Sequence, residues 1–162
     1  MNDKDEFCEH IRRNEKAMYS LALSIVRNPS DASEVLSESI YRAYKNLDTL
    51  KNDNSFKTWI LSIVHNTAVG MIRKNSRVIP VEEIYETQSE RGENEIITNI
   101  TLREAVNSLK QPYRTVVVLY YYENLSVLKI SQITGATSVA VKKQLSRARK
   151  MLREILKEDF GE

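Results

Sequence analysis

The sequence predicts an all-α protein: two small helical domains joined by an acidic flexible linker. Through most of the chain, apolar residues recur at spacings of three, four and seven, the period of one helix face. This period is lost at about 76–99, where Pro80, Gly92 and six glutamates stand among few apolar side chains. We therefore expect domains at 1–75 and 100–162, with the linker between them.

Charge is spread unevenly along the 162 residues, whose formal net charge is +2. Residues 76–101 carry six acidic and two basic side chains, whereas residues 102–162 carry eleven basic and six acidic ones. The net charge hides this asymmetry, which indicates that the carboxyl-terminal part binds a polyanion.

The chain has a single cysteine, Cys8, which excludes an internal disulfide and fits a reducing cytoplasm. Cys8 and His10 form a C-x-H pair without a second pair nearby, and because zinc prefers four ligands we expect no metal. The amino terminus lacks the apolar segment of a secretion signal. No run approaches the roughly 18 apolar residues of a membrane span. We therefore expect a cytoplasmic protein that does not insert directly into a membrane.

Three helices are predicted in the amino-terminal domain. The first covers about 5–26 and ends at Asn28-Pro29-Ser30, because a residue before proline avoids the helical conformation. Ser30 is the predicted N-cap of the second, which ends near Leu47. A third covers about 55–74, after a polar loop. Gly70 lies inside it at a cost of about 1 kcal/mol relative to alanine, which suggests close helix packing.

The carboxyl-terminal domain is also predicted to be helical, with helices at about 100–109 and 112–122. Pro112 suits the first position of the second of these. Its valines and tyrosines have strand propensity, but no partner strand is evident elsewhere, so a helix is preferred. Asn124 then turns the chain and Ser126 caps the next helix.

Residues 126–153 have the layout of a helix-turn-helix. Ile130 and Ile133 are the inward residues of a short helix, Ser131 allows close helix approach and Gly135 makes the turn. In the longer helix that follows, projection at about 100° per residue places apolar side chains on one side and lysines and arginines on the other.

A basic helix face is most often only a solvated surface. Here it coincides with the small residue, the turn glycine and the apolar spacing, and it carries no acidic residue from 138 to 153, which favours DNA binding. The candidates for base edges are Thr137, Ser138, Lys142 and Lys143, and those for phosphates are Arg147, Arg149, Lys150 and Arg153.

Two blocks carry a family resemblance. The first is MYSLALSIVRNPSDASEVLSESIYRAYKNLDTL, followed by SFKTWILSIVHNTAVGMIRK. The second is LREAVNSLKQPYRTVVVLYYYENLSVLKISQITGATSVAVKKQLSRARKMLREIL. In this order, joined by an acidic linker, they resemble the extracytoplasmic-function (ECF) class of bacterial RNA polymerase sigma factors. The resemblance implies a region 2 domain for core binding and minus-ten melting, and a region 4 domain for minus-thirty-five recognition.

The resemblance also implies where partners bind. The second helix would dock on the clamp of the largest polymerase subunit, and the carboxyl-terminal domain would dock on the flap of the second-largest. Both domains would bind promoter DNA. The implied core-binding residues are Asp31, Glu34, Glu38 and Tyr41. The implied minus-ten residues are Asn52, Asn54, Lys57, Trp59, Asn66, Arg73 and Lys74. His65 is expected at the surface or facing phosphate, and Trp59 could equally be a core residue, because Phe56 and Ile60 share its face.

The chain departs from the family pattern within the helix-turn-helix. Leu128 and Lys129 stand where the family usually has two glutamates, and Val139 and Ala140 stand where it often has glycine and threonine. Because the substituted positions include ones that would face bases, the promoter sequence cannot be transferred from relatives.

Two other functions fit the sequence less well. A stand-alone helix-turn-helix regulator is the alternative, but the acidic helix at 31–38 argues against it. An enzyme is not expected, because the chain has two histidines far apart, no glycine-rich phosphate loop and no recognisable carboxylate pair. No cofactor is expected. The resemblance further implies control by an anti-sigma factor and a stress or envelope-response regulon.

Overall fold

The computed structural model describes residues 3–78 and 101–159, so most of the predicted linker lies outside the described residues. The described residues form seven α-helices and no strands, which confirms the all-α prediction. Three helices belong to the amino-terminal half and four to the carboxyl-terminal half.

The amino-terminal half consists of α1 (Lys4–Val26), α2 (Pro29–Lys45) and α3 (Phe56–Val78). Helix α1 ends at Arg27, which takes a left-handed conformation with φ 59°. The prediction of Ser30 as the cap of α2 is wrong. The Oδ1 of Asn28 caps α2 by accepting from the Asp31 N–H at 3.0 Å, and the proline then fills the first helical position, where a missing N–H costs nothing.

Two short 3₁₀ turns, Leu47–Thr49 and Asp53–Ser55, connect α2 to α3. The second turn is capped by Asn52, whose Oδ1 accepts from the Ser55 N–H at 3.1 Å. Helix α2 is therefore shorter than predicted, because the chain tightens into a 3₁₀ turn rather than continuing as α-helix.

The carboxyl-terminal half consists of α4 (Leu102–Ser108), α5 (Tyr113–Val117), α6 (Val127–Thr134) and α7 (Ser138–Asp159). Helix α5 continues as one π-helical turn, Val118–Tyr122. The helical interpretation of this valine- and tyrosine-rich segment is thus confirmed over the strand alternative. Asn124 turns the chain with φ 56°, as predicted.

One apolar core runs through both halves. Its buried residues in α1 and α3, among them Met18, Leu21 and Ile60, belong to the same cluster as Ile130 and Leu145 of the helix-turn-helix. A smaller cluster, which includes Val106 and Ala148, lies wholly within the carboxyl-terminal half. The two helical halves are therefore packed against each other, an arrangement we call the closed form.

Polar contacts reinforce the closed form around the end of α1. Arg114 is 4% exposed, and its Nε donates to the Ser24 carbonyl oxygen while Nη1 donates to that of Leu109 at 2.6 Å. Gln111 Nε2 donates to the same Ser24 oxygen at 3.0 Å. Burial, and secondarily the charge of Arg27, lower the pKa of Arg114 to about 10, so it stays charged at neutral pH.

Gly70 gives a stability prediction. It is exposed, and a Cβ added there meets no atom within 4 Å, so the expectation of close packing was wrong. Gly70→Ala should raise the free energy of unfolding by about 0.5–1 kcal/mol, because alanine loses less backbone entropy in a helix. Urea unfolding checks this. Gly135→Ala is the matched control: at φ 84° the same added methyl should destabilise the chain. Destabilisation by both substitutions would contradict the account.

Candidate polymerase- and DNA-binding surfaces

Helix α2 presents one face to the core and the other to solvent. Ala32, Val35 and Ala43 are fully buried on the inner face. The outer face, which we call the acidic stripe, follows from spacings of three and four along the helix. It consists of the four predicted core-binding residues, Asp31, Glu34, Glu38 and Tyr41.

The structure places the residues of the acidic stripe along one side of α2. Asp31 is half-buried in the first turn, and Glu34 and Glu38 are exposed. Glu38 pairs with Arg42 one turn later at 3.0 Å, while Tyr41 is 58% exposed. An exposed aromatic ring beside two carboxylates combines apolar contact area with charge, the composition of many protein interfaces.

The predicted minus-ten loop is held by its own hydrogen bonds. The side chain of Asn52 is occupied as the cap of the 3₁₀ turn, whereas Asn54 is exposed. Trp59 is half-buried: its ring lies 5.5 Å from that of Phe56, and its Nε1 donates to Thr49 Oγ1 at 3.0 Å. Trp59 is therefore partly a core residue, and its hydrogen bond to Thr49 also holds the loop.

The remaining predicted minus-ten residues lie along α3 rather than in one cluster. Asn66, Arg73 and Lys74 are exposed. At about 1.5 Å per residue, Arg73 is about 21 Å along the helix axis from Trp59. The arrangement therefore suits an extended strand that follows α3, with the two cations placed for phosphates.

Lys57 has a partner that the sequence did not reveal. Its Nζ lies 3.4 Å from Glu123 Oε1 and donates to the Glu123 carbonyl oxygen at 3.4 Å. Glu123 follows the π-helical turn in the other half. In the closed form, a cation predicted to contact DNA is thus paired with an acid of the domain predicted to read the other promoter element.

The expectation that His65 faces solvent or phosphate is wrong. His65 is half-buried and lines an apolar cavity of about 330 Å³ between the halves, with Val69, Gln111 and Thr134 among its neighbours. Its buried Nδ1 has no hydrogen-bond partner among the described residues. Burial lowers the pKa of His65, partly offset by a side-chain hydrogen bond with Asn66, so the neutral imidazole is favoured.

The helix-turn-helix has the predicted turn. Gly135 is left-handed, with φ 84°, and its N–H donates to the Ser131 carbonyl oxygen at 2.9 Å. Ser131 Oγ in turn donates to the Ala136 carbonyl oxygen at 2.6 Å. The small serine thus fastens the turn, while Ile130 and Ile133 are buried beneath it.

Helix α7 has one apolar face and one cationic face, as the spacing of its residues indicated. Val141, Leu145 and Ala148 are buried. Thr137 caps the helix, its Oγ1 accepting from the Ala140 N–H at 3.1 Å, and Ser138 is half-buried. Between Ser138 and Arg153, the exposed side holds five cations, which we call the cationic face: Lys142, Lys143, Arg147, Lys150 and Arg153.

Arg149 is exposed at the flank of this face and is held by aromatic side chains. Its Nε donates to Tyr121 Oη at 2.6 Å, and its guanidinium carbon lies 5.6 Å from the centre of the Tyr120 ring. Such contacts fix the guanidinium and tie α7 to the π-helical turn. Arg149 therefore has a structural role in this form, which its place in a basic run did not indicate.

Two further features concern metal binding and membrane insertion. Glu6, His10 and Asp53 have possible metal-ligand atoms within 4.8 Å of one another, but both acids are exposed and three ligands are one fewer than a structural zinc site uses. Among the described residues, no helix is both long and apolar enough to cross a membrane.

Comparisons with known proteins bear on both halves. Family models match twice: Sigma-70 region 2 over residues 10–78, and Sigma-70, region 4 over residues 100–152. The RNA polymerase sigma factor SigV of Bacillus subtilis is 31% identical over 152 residues, covering 93% of this chain and 92% of that protein. The ECF RNA polymerase sigma factor SigW of the same organism is 26% identical, covering 96% of this chain and 91% of that protein.

The chain belongs to the ECF class of RNA polymerase sigma factors. A solved structure supports the fold of this sigma factor: RpoE of Bartonella quintana, crystallised with the anti-sigma factor NepR, aligns with a TM-score of 0.73. At 21% identity, the alignment covers 94% of this chain and 97% of that one. The predicted family is confirmed, and the roles of individual residues remain predictions.

Proposed function

We propose that this sigma factor binds core RNA polymerase in the cytoplasm and directs initiation at promoters that it reads at two elements. The observation that carries the proposal is the presence of two separate surfaces in one chain, the acidic stripe on α2 and the cationic face on α7. The stripe offers charge and an aromatic ring to a protein, and the cationic face offers five exposed cations to DNA.

The proposed function involves no catalysis by this chain. Phosphodiester bond formation belongs to the polymerase, and the sigma factor supplies position and strand capture. Trp59 and the polar loop before α3 are suited to a melted strand, because aromatic contact offsets the loss of base stacking.

The closed form must open for both elements to be read together. Elements named for positions about 25 base pairs apart lie about 85 Å apart on a duplex that rises about 3.4 Å per base pair. A chain of this length packed as one body is about 40 Å across. Here α6 packs against α3, and Lys57 is paired with Glu123. We infer that core binding separates the halves.

The closed form also suits an inhibitory partner. A groove between the halves is lined by residues of both, including Tyr19, Arg27, Arg103 and Tyr122. The related Bartonella structure contains an anti-sigma factor. An anti-sigma factor that bridged this groove would stabilise the closed form, since a ligand that prefers one conformation shifts the population toward it.

The cationic face gives a quantitative prediction. Replacing Arg147, Lys150 and Arg153 with alanine should make the plot of log affinity against log salt shallower by about 2.7, because each phosphate contact contributes about 0.9 to the slope. Fluorescence anisotropy of the full chain on labelled duplex DNA, over a salt series, measures this.

A matched control removes the same charge from α1. Lys4, Arg12 and Lys16 are exposed, and their triple replacement by alanine should leave the slope nearly unchanged. Equal slopes for the two triple variants would show that net charge alone, and not α7, governs DNA binding.

Association with core polymerase tests the proposed function. The purified chain should form a one-to-one complex with core enzyme on size exclusion, and this complex should protect promoter DNA that neither component protects alone. A chain that ignored core enzyme and bound a palindromic operator as a dimer would instead be a stand-alone regulator, and the proposal would be abandoned.

A further inference from the structure

We propose that Val139 determines promoter specificity by contacting the 5-methyl group of a thymine in the upstream element. This inference rests on the proposed DNA-reading role of α7 and names the chemical group that its first turn recognises. The sequence already marked Val139 as a departure from the family pattern, without indicating its environment.

The position of Val139 is the first argument. Thr137 caps α7 through the Ala140 N–H, so Val139 lies in the first turn of the helix. A recognition helix presents its amino-terminal residues to base edges in the major groove. A side chain there can reach a base, whereas those further along the helix meet phosphates.

The direction of the side chain is the second argument. At about 100° per residue, Val139 lies about 40° from Lys143 and about 60° from Lys142, on the side opposite the buried Val141. It is 63% exposed, and it is the one large apolar side chain of α7 that is exposed among the described residues. It therefore stands within the cationic face, at the end nearest the bases.

The chemistry is the third argument. Lysine and arginine recognise hydrogen-bond acceptors, and hydroxyl groups recognise donors or acceptors. None of these groups distinguishes a methyl group. An apolar side chain in the major groove complements the thymine methyl, the only apolar group that the four base pairs present there. Valine also has a stiff χ1, so its two methyl groups are held in place before binding.

Replacing thymine with deoxyuridine tests the contact, because it removes the methyl group and leaves every hydrogen-bonding group. An upstream element is first selected from random duplexes with the full chain, alone and bound to core polymerase. Each thymine is then replaced in turn. Native protein should lose about fourfold in affinity at one or two positions. This is the change in affinity that corresponds to burying about one methylene group.

Val139→Ala should remove this dependence, binding thymine and deoxyuridine within about twofold at those positions. Leu102→Ala is the matched control, since Leu102 is 55% exposed but lies on α4, outside the helix-turn-helix; it should keep the native dependence. No sensitive position in native protein, or equal sensitivity in Val139→Ala, would overturn the proposal.

The experiment separates this inference from the proposed function. Specific initiation with core polymerase but no methyl dependence would leave the sigma function standing and overturn the role of Val139. Methyl dependence that requires Val139, in a chain that does not bind core polymerase, would support Val139 and overturn the sigma function.

Discussion

A removable link between the two halves is expected to abolish promoter-directed initiation. Lys57 and Glu123 form a pair across the closed form, with 3.4 Å between Nζ and Oε1, so cysteines at these positions can be joined by a short thiol-specific linker. The linked chain cannot place α3 and α7 on elements about 85 Å apart. Losing two base-reading contacts at about 2 kcal/mol each, the middle of the usual range, predicts a reduction in run-off product of about a thousandfold.

The design needs a background without other thiols. Cys8 is exposed and is replaced by serine. Each of the two single-cysteine proteins should be as active with the linker as without it. Reduction of a linker attached through disulfides should restore the linked protein to the activity of the unlinked double-cysteine protein. Linked protein that initiates as well as unlinked protein would mean that the closed form does not need to open.

Charge reversal on the acidic stripe is expected to have the second largest effect. Glu34→Lys together with Glu38→Lys should weaken binding to core polymerase by about a hundredfold, because each reversal replaces an attraction with a repulsion at the proposed clamp contact. Titration of fluorescent core enzyme with the variant measures the affinity.

The control accounts for an effect on the helix itself. Glu38 pairs with Arg42 within α2, and exposed Glu9 likewise pairs with Arg12 within α1 at 2.8 Å. Glu9→Lys therefore loses a comparable intrahelical ion pair without touching the stripe, and it should bind core normally. Unchanged affinity after the double reversal would place the core contact elsewhere on the molecule.

Most of the fold could be predicted from short-range features of the sequence. The spacing of apolar residues, the proline at the start of α2, and the glycine between α6 and α7 each act within a few residues of the feature they determine. For this reason the helices and the helix-turn-helix could be predicted, and the errors fall at ends and caps. Asn28, not Ser30, caps α2, and α3 reaches Val78.

The closed form could not be predicted because its contacts join residues far apart in sequence. Ser24 and Arg114 are 90 residues apart, and Lys57 and Glu123 are 66 apart. An arginine among valines indicates a buried partner for its charge, but nothing in the sequence identifies that partner as the Ser24 carbonyl. The same limitation explains why His65 was placed at the surface.

Run-off transcription tests the central claim most directly. That claim is that one chain binds two promoter elements. Core polymerase is assayed with and without this protein on three templates: the selected promoter, one with the upstream element scrambled, and one with the downstream element scrambled. We predict product only when the protein is present, and loss of most product when either element is scrambled. Equal product from all three templates, or none from any, would contradict the account.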